Sequence, residues 1–182
     1  GFTEPYQHVQ VAALETGIVN QLDVKEGNRV AIGQVLGTLD DDLWQASLAI
    51  AEKAKEAQGA ILSAQAECEL KQDRLKKFQI LRENDHASEE EVQRAQMEQD
   101  VAEARLLTAR EAQEVKELEH RRAEVQLARR RILSPIDGVV VEIHKDQGEF
   151  VSPTDPVVFT VVQLDPLLAT FSIPVSAALS LT

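Results

Sequence analysis

The chain has 182 residues, with 31 acidic against 19 basic side chains, a net charge of −12 and a single cysteine, Cys68. That balance argues against a nucleic-acid partner, which needs a basic face for the phosphate backbone, and one cysteine excludes an internal disulfide. Aromatics are only 4%, with one Trp (Trp44) and one Tyr (Tyr6), which is thin for a large globular core and suits long Ala-rich helices. No apolar run has the length of a transmembrane helix, and no signal-peptide pattern is seen.

In chain order, the first informative stretch is ETGIVNQLDVKEGNRVAIGQVL, from Glu15. It predicts a short apolar strand, a polar turn closed by Gly and a second apolar stretch. The same reading recurs at Pro135 in PIDGVVVEIHKDQGEFVSPTDPVV. Gly17 falls on Gly138, Val19 on Val140, Leu22 on Ile143, Gly27 on Gly148 and Val30 on Val151, always 121 residues apart. Two copies are too few for a solenoid, so each predicts half of a domain. Gly17, Gly27, Gly138 and Gly148 are expected to be structural turn positions.

Between the copies, from Gly37 to Pro135, there is no Pro and one Gly, Gly59. The intervening residues are mostly good helix formers. Residues 42–131 hold 19 acidic and 16 basic side chains, a mixed-charge surface, whereas the flanking segments hold 12 and 3. Asp40, Asp41 and Asp42 are N-cap candidates and place negative charge at the positive end of a helix. Steps of four and three from Leu43 give a heptad seam through Ser47, Ile50, Ala54, Ala57, Ile61, Ala64, Cys68, Lys71, Leu75 and Phe78, with Lys71 its polar break. A second arm runs through Val92, Ala95, Gln99, Ala102, Leu106 and Ala109. Its seam is expected to slip, as at a stutter, to Val115, Leu118, Arg122, Val125, Arg129 and Ile132.

Between the arms, Ser88 followed by Glu91 predicts a capping box, and so a tip near residues 83–88. Two arms of about 40 residues reach roughly 60 Å. The small seam residues bury little area, and two seams on the second arm suggest packing against further copies. A monomeric coiled-coil spacer is the other reading. An antiparallel hairpin returns the chain to its start, so the two half-motifs can close into one small β-sandwich.

A sandwich of two G-x-V…G…V halves resembles the lipoyl/biotinyl carrier fold. One split by a helical hairpin resembles the periplasmic adaptor, or membrane fusion protein, family (HlyD-like). SPIDGVV, Ser134 to Val140, is similar to that family's entry into the second half-motif, and the resemblance covers nearly the whole chain. It implies an α+β fold: a lipoyl-like domain from residues 9–41 and 134–163, an inserted helical hairpin over 42–133, and the start of a β-barrel domain over 164–182. The stretch before Val9 would lead toward a membrane-proximal side and an anchor.

The resemblance also implies a role as the periplasmic adaptor of a Gram-negative efflux or secretion system. Such an adaptor bridges an inner-membrane transporter, RND-type favoured by LLATFSIPVS, to a TolC-type outer-membrane channel, and self-associates as a trimer or hexamer. Adaptors that dock on such channels tend to show Arg, Leu four residues on, and Ser seven after that. Leu81 and Ser88 fit, but the first position is Lys77, which keeps the charge and lacks the planar fork; Arg74 is one turn too early. Lys77, Leu81 and Ser88 are therefore the candidate partner-binding residues. Leu81 is read as the apolar anchor, and Ser88 as both cap and hydroxyl donor. Each also has a plain reading: solvated charge, tip packing and helix cap.

No catalytic residues, cofactor or metal site are expected. A carrier lysine would sit on the β-hairpin joining the halves, yet the helical insertion occupies that junction and Lys53 and Lys55 fall on a helix. His8, His86, His120, His144, Cys68 and Met97 show no ligand spacing. Nucleophile–base pairs and phosphate loops are also missing. The alternative to an adaptor is a coiled-coil scaffold or tether with small β heads and no transport role.

Overall fold

The structure is a computed structural model that describes residues 2–170. Its elements are β1 (Phe2–Ala12), β2 (Gly17–Leu22), β3 (Arg29–Val30), β4 (Val35–Leu39), α1 (Asp42–Glu56), α2 (Gly59–Glu83), α3 (Glu89–Ala128), β5 (Arg131–Leu133), β6 (Gly138–Ile143), β7 (Phe150–Val151) and β8 (Val157–Thr170). Two compact units divide the chain. One joins the segment up to Asp42 to the segment from Gln126 on; the other is Leu43–Val125.

The first unit is a sandwich of two four-stranded sheets, in the orders β1-β8-β6-β3 and β5-β4-β2-β7. Moving along the chain by 121 residues carries β2 onto β6 and β3 onto β7, residue for residue. The same shift lays the end of β1 on β5 and β4 on the start of β8, so the two sheets are copies of one another. The halves exchange strands: β2 pairs antiparallel with β7, and β3 with β6. The exchange is reciprocal in its hydrogen bonds. Gly27 N–H donates to Val140 O at 2.7 Å and Gly148 N–H to Val19 O at 2.8 Å. Neither half can close its own ladder, which is why both copies are needed for one domain.

Gly27 and Gly148 have φ of +86° and +90°, a region that costs an L side chain about 1–2 kcal/mol. Each closes a turn that is also tied by a side chain: Asn28 Oδ1 accepts the Lys25 N–H, and Glu149 Oε2 the Asp146 N–H. Gly17 and Gly138, expected in turns, are instead the first residues of β2 and β6. What they provide is close approach. A Cβ on Gly138 would lie 2.4 Å from Val162 O, and one on Gly17 would lie 2.5 Å from Arg130 Nη2.

Between the sheets, Val19, Leu36, Leu39, Ile132, Val140, Val151, Val158, Phe159 and Val161 form a closed apolar cluster. Each large side chain removed from water there contributes about 1.5–3 kcal/mol. β1 lies along β8 from Phe2↔Thr170 to Ala12↔Val157, so the strand begins well before the expected boundary at residue 9. Leu164 to Thr170, assigned from sequence to a barrel, continue β8 here, and the rest of that region lies outside the described residues.

The second unit is the helical hairpin. Its first arm is two helices, because the helix breaks at Ala57 and Gln58 just before Gly59. From Ala54 on, the less exposed positions are Ala54, Ile61, Ala64, Glu67, Cys68, Lys71, Leu75 and Phe78, the predicted seam without Ala57 and with Glu67 added at its flank. Before the break the phase differs by one residue. Trp44, Leu48 and Ala51 face inward, while Leu43, Ser47 and Ile50 are exposed. The second arm keeps one phase throughout: Val92, Ala95, Gln99, Ala102, Leu106 and Ala109 continue into Gln113, Lys116, His120 and Ala123.

The expected slip does not occur, and Val115, Leu118 and Val125 are exposed. The polar stretch of the seam has a physical reason. Gln113 lies beside the break and donates its Nε2–H to Lys55 O, one of the carbonyls that the end of α1 leaves without a helical partner. Lys71, the predicted polar break, is answered from the other arm. Glu98 accepts from Lys71 Nζ at 2.8 Å and from Arg74 Nη1 at 2.9 Å. Those bonds hold the Glu98 carboxyl below the usual carboxylate range, the hydrogen bond from Lys71 being the largest cause.

Candidate functional site

The hairpin turns around between Asn84 and Ser88, and its geometry follows from capping at both ends. At the end of α2, the N–H groups of Asn84 and His86 both donate to Leu81 O, at 3.2 and 2.7 Å, and that of Asp85 to Arg82 O at 3.0 Å. Asn84 Nδ2 adds a bond to Ile80 O at 2.8 Å. The carbonyls of Ile80, Leu81 and Arg82 in the last turn are thereby satisfied within the protein. Asp85 takes a left-handed φ of +59° to reverse the chain, a conformation Asp tolerates better than most residues.

At the start of α3 the capping box forms as its spacing predicts. Ser88 N–H donates to Glu91 Oε2 at 2.8 Å, and Glu91 N–H donates to Ser88 Oγ at 3.2 Å. The hydrogen bonds from Ser88, backbone first, lower the Glu91 carboxyl from its ordinary value. The Ser88 hydroxyl also donates to Glu91 Oε2 at 2.9 Å, so its proton is committed within the protein. Arg82 and Glu89 form an ion pair at 3.6 Å that links the two arms beside the turn.

Of the sequence-chosen residues, Lys77 is exposed on α2 and Leu81, one turn later on the same face, is 41% exposed. Ser88 lies across the turn as a cap. Ile80 is 58% exposed beside Leu81, and its spacing of three from Lys77 places it on that face although nothing in the sequence pattern marks it. The tip surface is thus two aliphatic side chains with a lysine behind them. Arg74, one turn further back, stands over the Phe78 ring at 5.6 Å and bonds Glu98, so its guanidinium is engaged within the hairpin. Among the described residues, no group of three or more His, Cys, Asp or Glu side chains is placed to hold a metal ion, and no helix is long and apolar enough to cross a membrane. Lys53 and Lys55 lie in the last turn of α1.

A strand-exchanged sandwich whose two halves are separated in sequence by a helical hairpin is the architecture of the membrane fusion proteins, or periplasmic adaptors. The chain belongs to that family: the family described as "RND MFP, barrel-sandwich hybrid domain" matches residues 7–163. Multidrug efflux pump subunit AcrA of Escherichia coli K12 is 27% identical over 168 residues, which is 92% of this chain and 39% of AcrA. AcrA of Escherichia coli O157:H7 matches equally. The chain therefore spans about two fifths of the length of these curated relatives. The crystal structure of MacA from Actinobacillus actinomycetemcomitans aligns with a TM-score of 0.82 at 24% identity, over 91% of this chain and 52% of MacA. The membrane fusion protein Spr0693 from Streptococcus pneumoniae R6 aligns with a TM-score of 0.58 at 20% identity, over 91% of this chain and 63% of that one. These two structural likenesses bear on the fold alone.

Proposed function

We propose that the protein is the adaptor subunit of a tripartite efflux system. It acts in the periplasm, linked to the inner membrane in the whole protein, and joins an inner-membrane transporter of RND type to a TolC-type outer-membrane channel. Its work is assembly, with no catalytic step and no cofactor. The observation that carries this reading is the tip. In a chain of the RND membrane fusion family, the hairpin ends in exposed Ile80 and Leu81 with Lys77 on the same face.

Leu81 is the apolar anchor; losing its side chain from a fully buried contact would cost about 1–3 kcal/mol of docking energy. Lys77 pairs with an acid or carbonyl of the channel. Ser88 acts first as the cap that shapes the turn, and its hydroxyl has only acceptor capacity left for a partner. Self-association to a trimer or hexamer is supported by exposed apolar side chains on the back of α3, in two groups separated by Thr108 and Glu111. Met97, Val101, Val115, Leu118 and Val125 are exposed, each two residues along from a seam position and so about 200° around the helix from it.

The test is Leu81→Asp in the full-length protein. The melting temperature and cellular abundance should stay at wild-type levels, because an exposed side chain has little core to lose, while export is abolished. Wild-type export by Leu81→Asp would sink the tip-docking mechanism.

A further inference from the structure

The two halves of the sandwich differ at the neck, where the chain leaves for the hairpin and comes back. In the second half, the ladder of β6 with β8 runs from Ile143↔Phe159 to Val139↔Val162, and β8 continues beyond it. Gly138 packs against the backbone at the end of that ladder, at Val162. In the first half, β4 stops at Leu39 and the chain turns away at Asp40 into α1. Asp40 N–H still donates to Ile18 O at 2.8 Å, so the pairing ends one residue past β4. What lies nearest Gly17 is a side chain: the three atoms nearest to a Cβ built on Gly17 are all from the Arg130 guanidinium.

Arg130 is 3% exposed. Its Nε and Nη2 donate to Asp40 O at 2.9 and 2.6 Å, and its Nη1 donates to Thr16 O at 2.7 Å. A buried charge is costly unless its donors are satisfied, and here the planar fork meets two carbonyls left over by the departing strand and the β1–β2 loop. Arg130 itself sits on the returning chain, between the end of α3 and β5, and its own carbonyl accepts the Leu39 N–H at 2.9 Å. One residue thus ties outgoing chain, returning chain and loop together. The position 121 residues earlier, where no insertion emerges, is Val9.

We propose that Arg130 is the positioning residue of the neck: its guanidinium caps the carbonyls where the outgoing chain leaves the ladder and locks the outgoing and returning chains into the sandwich, with Gly17 as the seat that admits it. Within the run Arg129-Arg130-Arg131 it is the buried member. Arg129 is an exposed ion-pair partner of Glu15 at 3.4 Å, and Arg131 is exposed on β5.

The test uses the whole protein carrying Arg130→Gln, Arg130→Lys or Gly17→Ala. The readouts are hydrogen exchange of peptides covering residues 36–42 and 126–133 and the rate of tryptic cleavage after Arg129. In Arg130→Gln, exchange in both segments should rise together by about tenfold, with faster cleavage, while peptides over 157–162 keep wild-type exchange. Arg130→Lys should loosen the neck nearly as much, because an ammonium cannot fork between the carbonyls. Gly17→Ala leaves the arginine chemically intact and should reproduce the effect by unseating it, which keeps the test decisive should Arg130→Gln fail to accumulate. Unchanged neck exchange in Gly17→Ala and Arg130→Lys, loosening of one segment only, or a uniform rise across the sandwich would each overturn the assignment. The role in transport rests on the adaptor reading. There, Arg130→Lys at normal abundance should lower export, and a loosened neck with wild-type export would refute that role while leaving Leu81 as the separate test of docking.

Discussion

Val24 and Lys145 occupy the same place in the two halves of the sandwich, 121 residues apart, and the halves accommodate them differently. Val24 is buried in the core cluster. Lys145 is bound to Asp155, on the turn before β8, where the first half has Gln34. The turns themselves are equivalent, with Gly27 and Gly148 at nearly the same φ and the same type of side-chain tie. The close-packed glycines are not: Gly138 faces fixed backbone and Gly17 faces an arginine side chain. Strand exchange requires the halves to match at the ladder and the turn. It leaves the flanking positions free to diverge, as they do where the hairpin enters.

That contrast can be broken in graded steps. Val24→Lys puts an ammonium into the core with no acid in the position of Asp155, and should cost about 3 kcal/mol or more, seen as a collapse of the denaturation midpoint. Gly138→Ala forces a methyl against the Val162 carbonyl and should cost about 2–3 kcal/mol. Gly17→Ala should cost less than Gly138→Ala, because the atom it meets ends a side chain. Equal losses would mean that the two glycines do the same job. Gly27→Val and Gly148→Val should each lose about 1–2 kcal/mol, and by similar amounts, since nothing lies within 4 Å of either Cβ and only the backbone conformation is at stake.

The smallest effect belongs to the Lys145–Asp155 pair. Asp155, by its hydrogen bond and then its charge, raises Lys145 above the ordinary lysine value of 10.5, with burial opposing. A raised lysine contributes stability that is fully present below the unfolded value and lost as pH rises through the folded one. The advantage of wild type over Lys145→Met should therefore be flat from pH 8 to about 10 and fade above the ordinary value. A melting series that shows it growing in alkali would contradict the pairing.

Much of this architecture is legible in the sequence, because glycine spacing and apolar alternation report on turns and ladders directly. The 121-residue offset finds strands that pair only through the partner half. The Ser88–Glu91 box is equally plain, since capping is local. The hairpin seam is readable from Ala54 to Phe78 and from Val92 to Ala109, where apolarity marks the facing side. It misleads from Val115 to Val125, where apolar residues point outward and Gln113 turns inward toward the carbonyls of a broken helix. The break at Ala57 and Gln58 has no Pro and only Gly59 to mark it, so the phase before it is missed. Arg130 is the least visible of all. In a run of three arginines it looks like solvated charge, and only the carbonyls of Asp40 and Thr16 that its guanidinium meets show why the middle one is buried. At the tip, Lys77 and Leu81 are picked out only by the resemblance to channel-docking adaptors, whereas Ile80 is noticed only once its exposure is known.

The account rests on the two half-motifs forming one folding unit around the insertion. The direct measurement joins Asp40 to Arg129 through a short glycine-containing turn, removing the hairpin and keeping the neck arginine, and follows circular dichroism with temperature. The account predicts a soluble domain with a β-type spectrum and a single cooperative melt. A chain with no β-type signal and no cooperative transition would contradict it.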